Sequence, residues 1–351
     1  MMSLKEFNHS KTVFTDLKHR GDSAFLSFFE SYLSDTLDSL DQPVRDLARK
    51  VVLGGGKRIR PLLVFRCGSG CSEVTEDLLK VSAILELVHV ATLVHDDILD
   101  EAKIRRSHPT IHTQIGENNA ILLGDALFSF ALELATEFPS TRICKLVSAA
   151  TRRTCTGEIM QTFSRGNFDI SLSDYFSFIQ DKTGELFKAS CQAGAYLAGH
   201  SEHVIEQVGG FGLSLGLNYQ IFDDLIDSFG ESTVAGKCLG TDFDSGKVTL
   251  PIILLFQKLS TSQVREVKDL LSNGPMSDFS RKKIGDLMVE FEIREECLAF
   301  LRSKLTKTSL IASNLPYDDM SAKLLDFLSS FDDKLSHFSV GSFPNLLALN
   351  T

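Results

Sequence analysis

The chain has 351 residues, 43% hydrophobic and 23% charged, with eight prolines and a net charge of −10. That apolar fraction supplies a core and excludes global disorder, while the length allows one large domain or two ordinary ones. The acidic balance gives no basic field, which excludes nucleic acid as the expected partner.

Residues 1–20 are polar and expected to fray, and they contain no apolar stretch of the kind a secretory signal needs. Beyond them helical periodicity dominates. It predicts helices over 22–40, 43–53, 58–67, 74–103, 117–137, 140–163, 173–199, 202–229, 247–272, 277–306 and 317–337. Turn residues punctuate the pattern at Gly54-Gly55-Gly56, Gly68-Ser69-Gly70, Pro109, Pro139, Gly166-Asn167, Gly230, Gly240 and Gly274-Pro275. No alternating run of strand length and no βαβ unit stands out. The expected fold is all-α: a single-domain antiparallel helical bundle over 21–338 around a central cavity, followed by a tail over 339–351. The longest apolar run, 81–95, is interrupted by Glu86 and His89 and is too short to span a bilayer, so no transmembrane segment is expected. Seven cysteines lack zinc-ligand spacing; their odd number reads as free thiols in a reducing compartment, and the expected location is cytoplasmic.

The chemistry-bearing residues also come in chain order. Gly54-Gly55-Gly56-Lys57-Arg58-Ile59-Arg60-Pro61 is a glycine turn entering a helix, where backbone can approach an anion and Lys57 and Arg60 share a side. His89 lies two turns before Asp96, on the same helical face. Asp96-Asp97-x-x-Asp100 projects at least two carboxylates in one direction. Arg105-Arg106 follows where that helix should end, with forked donors suited to phosphate. Lys182-Thr183 is a weak signal alone. Asp223-Asp224-x-x-Asp227 repeats the acidic triad, and Lys237, Asp242 and Lys247 follow it in a glycine-rich loop that could close over a substrate.

One such triad is often a solvated face. Two, each flanked by Leu, Val, Ile and Phe, are not patterned that way. Like charges so close repel unless a cation binds between them, and hard oxygen ligands of this kind suit Mg²⁺ bound together with phosphate oxygens.

In this order the motifs closely resemble the trans-isoprenyl (polyprenyl) diphosphate synthases. They are GGGKRIRP at 54–61, H-x-x-x-x-x-H-D-D-I-L-D at 89–100, RR with PTIH at 105–112, GDALFS at 124–129, KTGELF at 182–187, YQIFDDLID at 219–227 and GK…GTD…GKVTLP at 236–251. The resemblance implies the isoprenoid synthase fold, a homodimer, and head-to-tail condensation of isopentenyl diphosphate with an allylic diphosphate. By resemblance, Asp96 and Asp100 bind two Mg²⁺ ions with Asp97 in support, and Asp223 binds a third with Asp224 and Asp227 nearby. Lys57, Arg60, His89 and Arg106 would hold isopentenyl diphosphate, and Arg105, Lys182, Lys237 and Lys247 the allylic diphosphate. Thr183 and Gln220 would lie along the reacting chain, and the released diphosphate would take the proton. Ser107 and Gly184 stand where the family usually has Gly and Ala.

Product length is read from the helix before the first triad. Ala91, Val88 and Ile84 are expected on one stripe leading into the core, each helical turn of about 5.4 Å gating one isoprene unit. The family's short-chain enzymes carry a bulky aromatic at the position of Ala91 or Thr92; both are small here. The expected product is longer than farnesyl, of quinone side-chain type, with geranylgeranyl diphosphate left open because Phe128, Phe130 or a partner subunit could block the tunnel lower down. A transient membrane contact for product release is compatible with this. Two other readings share the acids: a terpene cyclase, which needs no second anion pocket, and a non-catalytic subunit, which could lose its acids without penalty.

Overall fold

Helices begin where a side-chain oxygen can take the first free backbone amides. Thr75 accepts from Leu78 N, and Ser140 from Arg142 N. Ser171 and Ser260 build reciprocal capping boxes with Asp174 and Gln263. The computed structural model describes residues 11–68, 75–106, 108–230, 240–272 and 276–340.

The elements are α1 (Lys11–Leu37), α2 (Val44–Val52), α3 (Ile59–Gly68), α4 (Glu76–Leu99), β1 (Ile104–Arg105), β2 (His108–Pro109), α5 (Ile111–Ile115), α6 (Glu117–Thr136) and α7 (Thr141–Phe163). There follow α8 (Leu172–Ile179), a π-helical turn (Gln180–Gly184), α9 (Glu185–Leu197), α10 (Glu202–Phe229), α11 (Thr241–Asp244) and α12 (Leu250–Lys258). The chain continues as α13 (Thr261–Leu271), α14 (Asp278–Glu290), α15 (Ile293–Ser313) and α16 (Asp318–Val340). Among the described residues the sheet is a two-residue antiparallel ladder, Ile104 opposite Pro109 and Arg105 opposite His108. The all-α fold is as expected.

At the centre, α10 packs against α9 and α15, and α4 against α3 and α6. Besides the helix predicted over 173–199, which a π-turn interrupts, three predicted helices are shorter or divided. The one over 74–103 ends at Leu99, freeing Asp100 as its cap. That over 247–272 breaks at Leu259, where the Ser260 capping box starts a new helix. The 277–306 helix breaks at Glu292, which adopts a left-handed conformation at φ 52°.

Two helices, α4 and α6, are long and apolar enough to cross a membrane by length and composition, which the sequence reading did not expect. Burial on most sides accounts for α4: such a helix needs apolar residues all round. Its polar Glu86, His89, Asp96 and Asp100 face a cavity inside the bundle.

Candidate active site

A cavity of about 1070 Å³ opens between α3, α4, α6, α7, the π-turn and α10. Asp96 and Asp100 line it from α4 and its C-cap, Asp223 and Asp224 from α10, and Asp242 and Lys247 from the segment that follows α10. Burial pushes the Asp96 carboxyl up to about 6, with Glu158 and Asp100 adding and Lys182 opposing. Asp100 goes the other way despite its burial. Lys247 Nζ lies 2.8 Å from each of its oxygens and Arg165 Nη2 donates to Oδ1 at 2.7 Å, which holds it below the usual carboxylate range.

The six acids do not act alike. Asp97 turns away from the cavity, is buried, and accepts from Arg105 Nε at 2.6 Å. Asp227 is also buried outside the lining; it accepts from Thr241 Oγ1 at 3.0 Å and Asp242 N at 3.1 Å, tying α10 to the start of α11. Asp224 reaches the cavity edge, but Tyr175 Oη donates to one oxygen at 2.7 Å and Gln220 Nε2 to the other at 2.8 Å. Burial pushes its carboxyl up to about 8, Asp242 adds to this, and those two donors oppose it. Asp97 and Asp227 are therefore correctly located on their helices but point elsewhere. Helix geometry accounts for Asp97, which lies about 100° round from Asp96; Asp227, four residues after Asp223, is instead held off the cavity by its bonds to Thr241 and Asp242 N.

The cationic half is assembled from distant segments. Gly56, at φ 146°, leaves the room Arg106 needs: a Cβ there would lie 2.9 Å from Arg106 Nη1, which donates to Gly55 O. Next, Arg58 adopts φ 46° and buries its guanidinium between Glu86 (2.7 Å) and Glu30 (2.6 Å), with Val52 O at 2.8 Å. Pinning this residue fixes the directions of its neighbours Lys57 and Arg60, both of which line the cavity. Arg60 stacks over the Phe187 ring at 4.8 Å, and its Nε is buried with no hydrogen-bond partner. Burial pushes its guanidinium down to about 10. Burial and then Arg60 and Arg106 push His89 well below the ordinary histidine value, so its ring is neutral at pH 7. A buried cation with an unmatched donor suits an anion.

Lys182 and Thr183 sit on the π-turn, which interrupts the helix predicted over 173–199. Gly157 of α7 permits the close crossing, since a Cβ there would be 2.3 Å from Lys182 N. Lys182 Nζ lies 2.5 Å from Glu158 Oε2 and donates to Gln161 Oε1 at 3.0 Å. Burial disfavours its charge, yet Asp96, Glu158 and Asp100 raise its pKa above the usual lysine value. Thr183 Oγ1 donates to Gln220 Oε1 at 2.7 Å.

Lys57, Arg60, His89, Asp96, Asp100, Arg105, Arg106, Lys182, Thr183, Gln220, Asp223, Asp224 and Lys247 thus line one cavity. Lys237 and Ser107 lie outside the described residues. The product-length stripe needs correction: Ala91, Val88 and Ile84 are buried in the core and do not line the cavity, whereas Thr92 does. Thr92, His95, Phe128, Cys155 and Ile159 line the cavity on the side of α4, α6 and α7. Sequence reading also missed Glu158 and Arg165, which carry no motif of their own and reach the acids only through the crossing of α7 with α4.

No three His, Cys, Asp or Glu side chains among the described residues converge to enclose a metal by themselves. A Mg²⁺ ion does not require that, because it takes one or two carboxylates and keeps water and phosphate oxygens in its other positions. The hard oxygens of Asp96, Asp100 and Asp223 fit that chemistry, and two ammonium groups already stand among the acids of this cavity.

The family model described as polyprenyl synthetase matches residues 41–288. The chain is 34% identical over 259 residues to heptaprenyl diphosphate synthase component 2 of Geobacillus stearothermophilus, covering 71% of this chain and 79% of that protein. It is 30% identical over 240 residues to octaprenyl diphosphate synthase of Escherichia coli, covering 68% and 74% respectively. Its structure is similar to that of a polyprenyl synthase from Caulobacter crescentus complexed with calcium and isoprenyl diphosphate. The TM-score is 0.81 at 28% identity, over 94% of this chain and 98% of that one.

Proposed function

This chain belongs to the polyprenyl synthetase family, and from that we propose how its own residues carry out the family's reaction. It is a trans-polyprenyl diphosphate synthase: it condenses isopentenyl diphosphate with an allylic diphosphate, head to tail, to give a longer chain. The observation that supports the assignment of roles is the meeting of Asp96, Asp100 and Asp223 with two sets of cations in one cavity.

The family binds its diphosphates with divalent metal. Asp96, Asp100 and Asp223 would hold that metal, three Mg²⁺ ions in all, supplying charge to stabilise the leaving diphosphate. Asp97, Asp224 and Asp227 brace the walls. Arg105, Lys182 and Lys247, with Lys237, hold the allylic diphosphate against those acids. Lys57, Arg60, His89 and Arg106 seat isopentenyl diphosphate. A neutral His89 offers that second anion a hydrogen bond without adding to the repulsion among the arginines. As the allylic C–O bond ionises, the cation is attacked by the double bond of isopentenyl diphosphate, and a proton is lost to the released diphosphate. Thr183 and Gln220 line the path of the reacting carbons.

The growing chain runs between α4, α6 and α7 past Thr92, His95, Phe128, Cys155 and Ile159, small enough at Thr92 for products longer than farnesyl. We also infer a homodimer, supported by exposed Ile121, Leu122 and Leu132 on α6 and Met160 and Phe163 on the adjacent α7. A cytoplasmic location is supported by the free thiols of Cys67, Cys144, Cys155, Cys191 and Cys297. The test is labelled isopentenyl diphosphate with ten-, fifteen- and twenty-carbon allylic primers, with and without Mg²⁺, products resolved by length. Mg²⁺-dependent products above fifteen carbons are expected; hydrocarbon formed without isopentenyl diphosphate would point to a cyclase instead.

A further inference from the structure

Tyr175 is a fully buried hydroxyl outside the cavity that the reaction as described does not use. It begins a chain of three hydrogen bonds: Tyr175 Oη to Asp224 Oδ2 (2.7 Å), Gln220 Nε2 to Asp224 Oδ1 (2.8 Å) and Thr183 Oγ1 to Gln220 Oε1 (2.7 Å). The chain links α8, α10 and the π-turn, and ends on a cavity-lining hydroxyl.

Its direction follows from donor chemistry. When ionised, as a divalent ion held at the neighbouring Asp223 would favour, Asp224 accepts from both Tyr175 Oη and Gln220 Nε2. Gln220 then has its NH₂ turned toward Asp224 and its carbonyl toward Thr183. The single Thr183 proton is taken by that carbonyl, which leaves only oxygen lone pairs facing the cavity. There the π-turn matters: it carries Thr183 onto α10 beside Gln220, with Gly216 and Gly184 in close approach, a Gly216 Cβ lying 2.8 Å from Gly184 Cα. Take away the Tyr175 hydroxyl and one oxygen of Asp224 loses its partner. The carboxylate is then free to turn, and the amide it orients is free to turn with it.

We propose that Tyr175 is a positioning residue: acting through Asp224 and Gln220, it commits the Thr183 hydroxyl proton away from the cavity and presents an electron-rich oxygen to the reacting carbons. Asp224 is, in this account, the hub of a hydrogen-bond relay rather than a metal ligand. The inference rests on the prenyl-transfer reading of the site and adds to it a residue that neither touches substrate nor lines the cavity.

A double-mutant cycle in the full-length, Mg²⁺-loaded enzyme tests it, with Tyr175→Phe, Thr183→Val and the double variant assayed for kcat and KM. Tyr175→Phe is expected to lower kcat about 10- to 100-fold while leaving both KM values within about threefold, since an interaction made in the transition state is lost. In the Thr183→Val background the same change should cost little more, because the relay has no hydroxyl left to orient. Losses that multiply, a loss carried by KM, or an unchanged kcat in Tyr175→Phe would overturn the proposal. Should circular dichroism show Tyr175→Phe unfolded, Asp224→Asn serves in its place. An asparagine there has one acceptor oxygen for two donors, so the orientation of Gln220 is no longer fixed, and the same non-additivity with Thr183→Val is expected, multiplying losses again overturning it. A wild-type chain that fails to condense the two substrates would sink the underlying reading, whereas an active wild type with additive variants sinks only the relay.

Discussion

Placing a phenylalanine at two adjacent positions of α4 should have opposite consequences. Thr92 lines the cavity, half-buried, with its hydroxyl bonded to His89 O at 2.7 Å. Ala91 is wholly buried in the core. Thr92 stands four residues before Asp96, about 6 Å along the helix axis, close to one isoprene unit. A ring at Thr92 therefore blocks the chain soon after the diphosphate, and Thr92→Phe should stop products at about ten to fifteen carbons, two to three units at about one per helical turn. The acids are untouched, so the first condensation should keep its rate within a few-fold. Ala91→Phe instead forces a ring into packed side chains, at about 1–3 kcal/mol. It should lower the urea midpoint and leave product length nearly unchanged. The assay is thin-layer separation of labelled products from both variants, with urea unfolding alongside. Shortened products from Ala91→Phe with normal products from Thr92→Phe would refute this orientation of α4.

Asp96→Ala and Asp223→Ala should each lower turnover by several orders of magnitude with unchanged far-ultraviolet circular dichroism; near-normal rates in either would contradict their assignment. Arg58→Met leaves Glu86 buried without its partner and should destabilise the fold by about 3–5 kcal/mol, measured by urea unfolding. His89 is held well below the ordinary value of 6.5 by burial and by Arg60 and Arg106, so the unfolded chain takes up a proton first as pH falls. The stability it contributes is complete above about pH 6.5 and is lost as pH drops toward its depressed value, by up to about 1.4 kcal/mol per pH unit. His89→Gln should remove that part of the slope between pH 7 and pH 5.5; an identical slope in the variant would show that His89 is not the group responsible.

Much of this site was legible in the sequence because its signals are local. A triad on a helix, a glycine turn before Lys57 and an arginine pair after Asp100 each need only a few residues to be recognised, and the resemblance put them in order. Orientation was harder. Which of two adjacent aspartates faces the cavity depends on the roll of α4 and α10 about their axes, set by partners such as Arg105, Tyr175 and Thr241 whose bonds to the acids no local pattern announces. The misplaced Ala91–Val88–Ile84 stripe has the same origin: each is apolar, but a helix buried on most sides gives no clue to which apolar side meets the tunnel. Breaks were missed where the helical period resumes in phase, as at Leu259, although Ser260 and Gln263 do spell a capping box. The π-turn at Gln180–Gly184 left no such mark; Gly157 and Gly184 are its only traces in the sequence.

The most direct measurement is Mn²⁺ binding, followed by electron paramagnetic resonance, in the presence of a non-reactive allylic diphosphate analogue. Asp96→Asn, Asp100→Asn and Asp223→Asn should each lose bound ions, and Asp97→Asn and Asp227→Asn, once shown to be folded, should retain the wild-type number. Full occupancy in the first three variants, or loss confined to the last two, would contradict the division between cavity-facing ligands and buried braces on which the account stands.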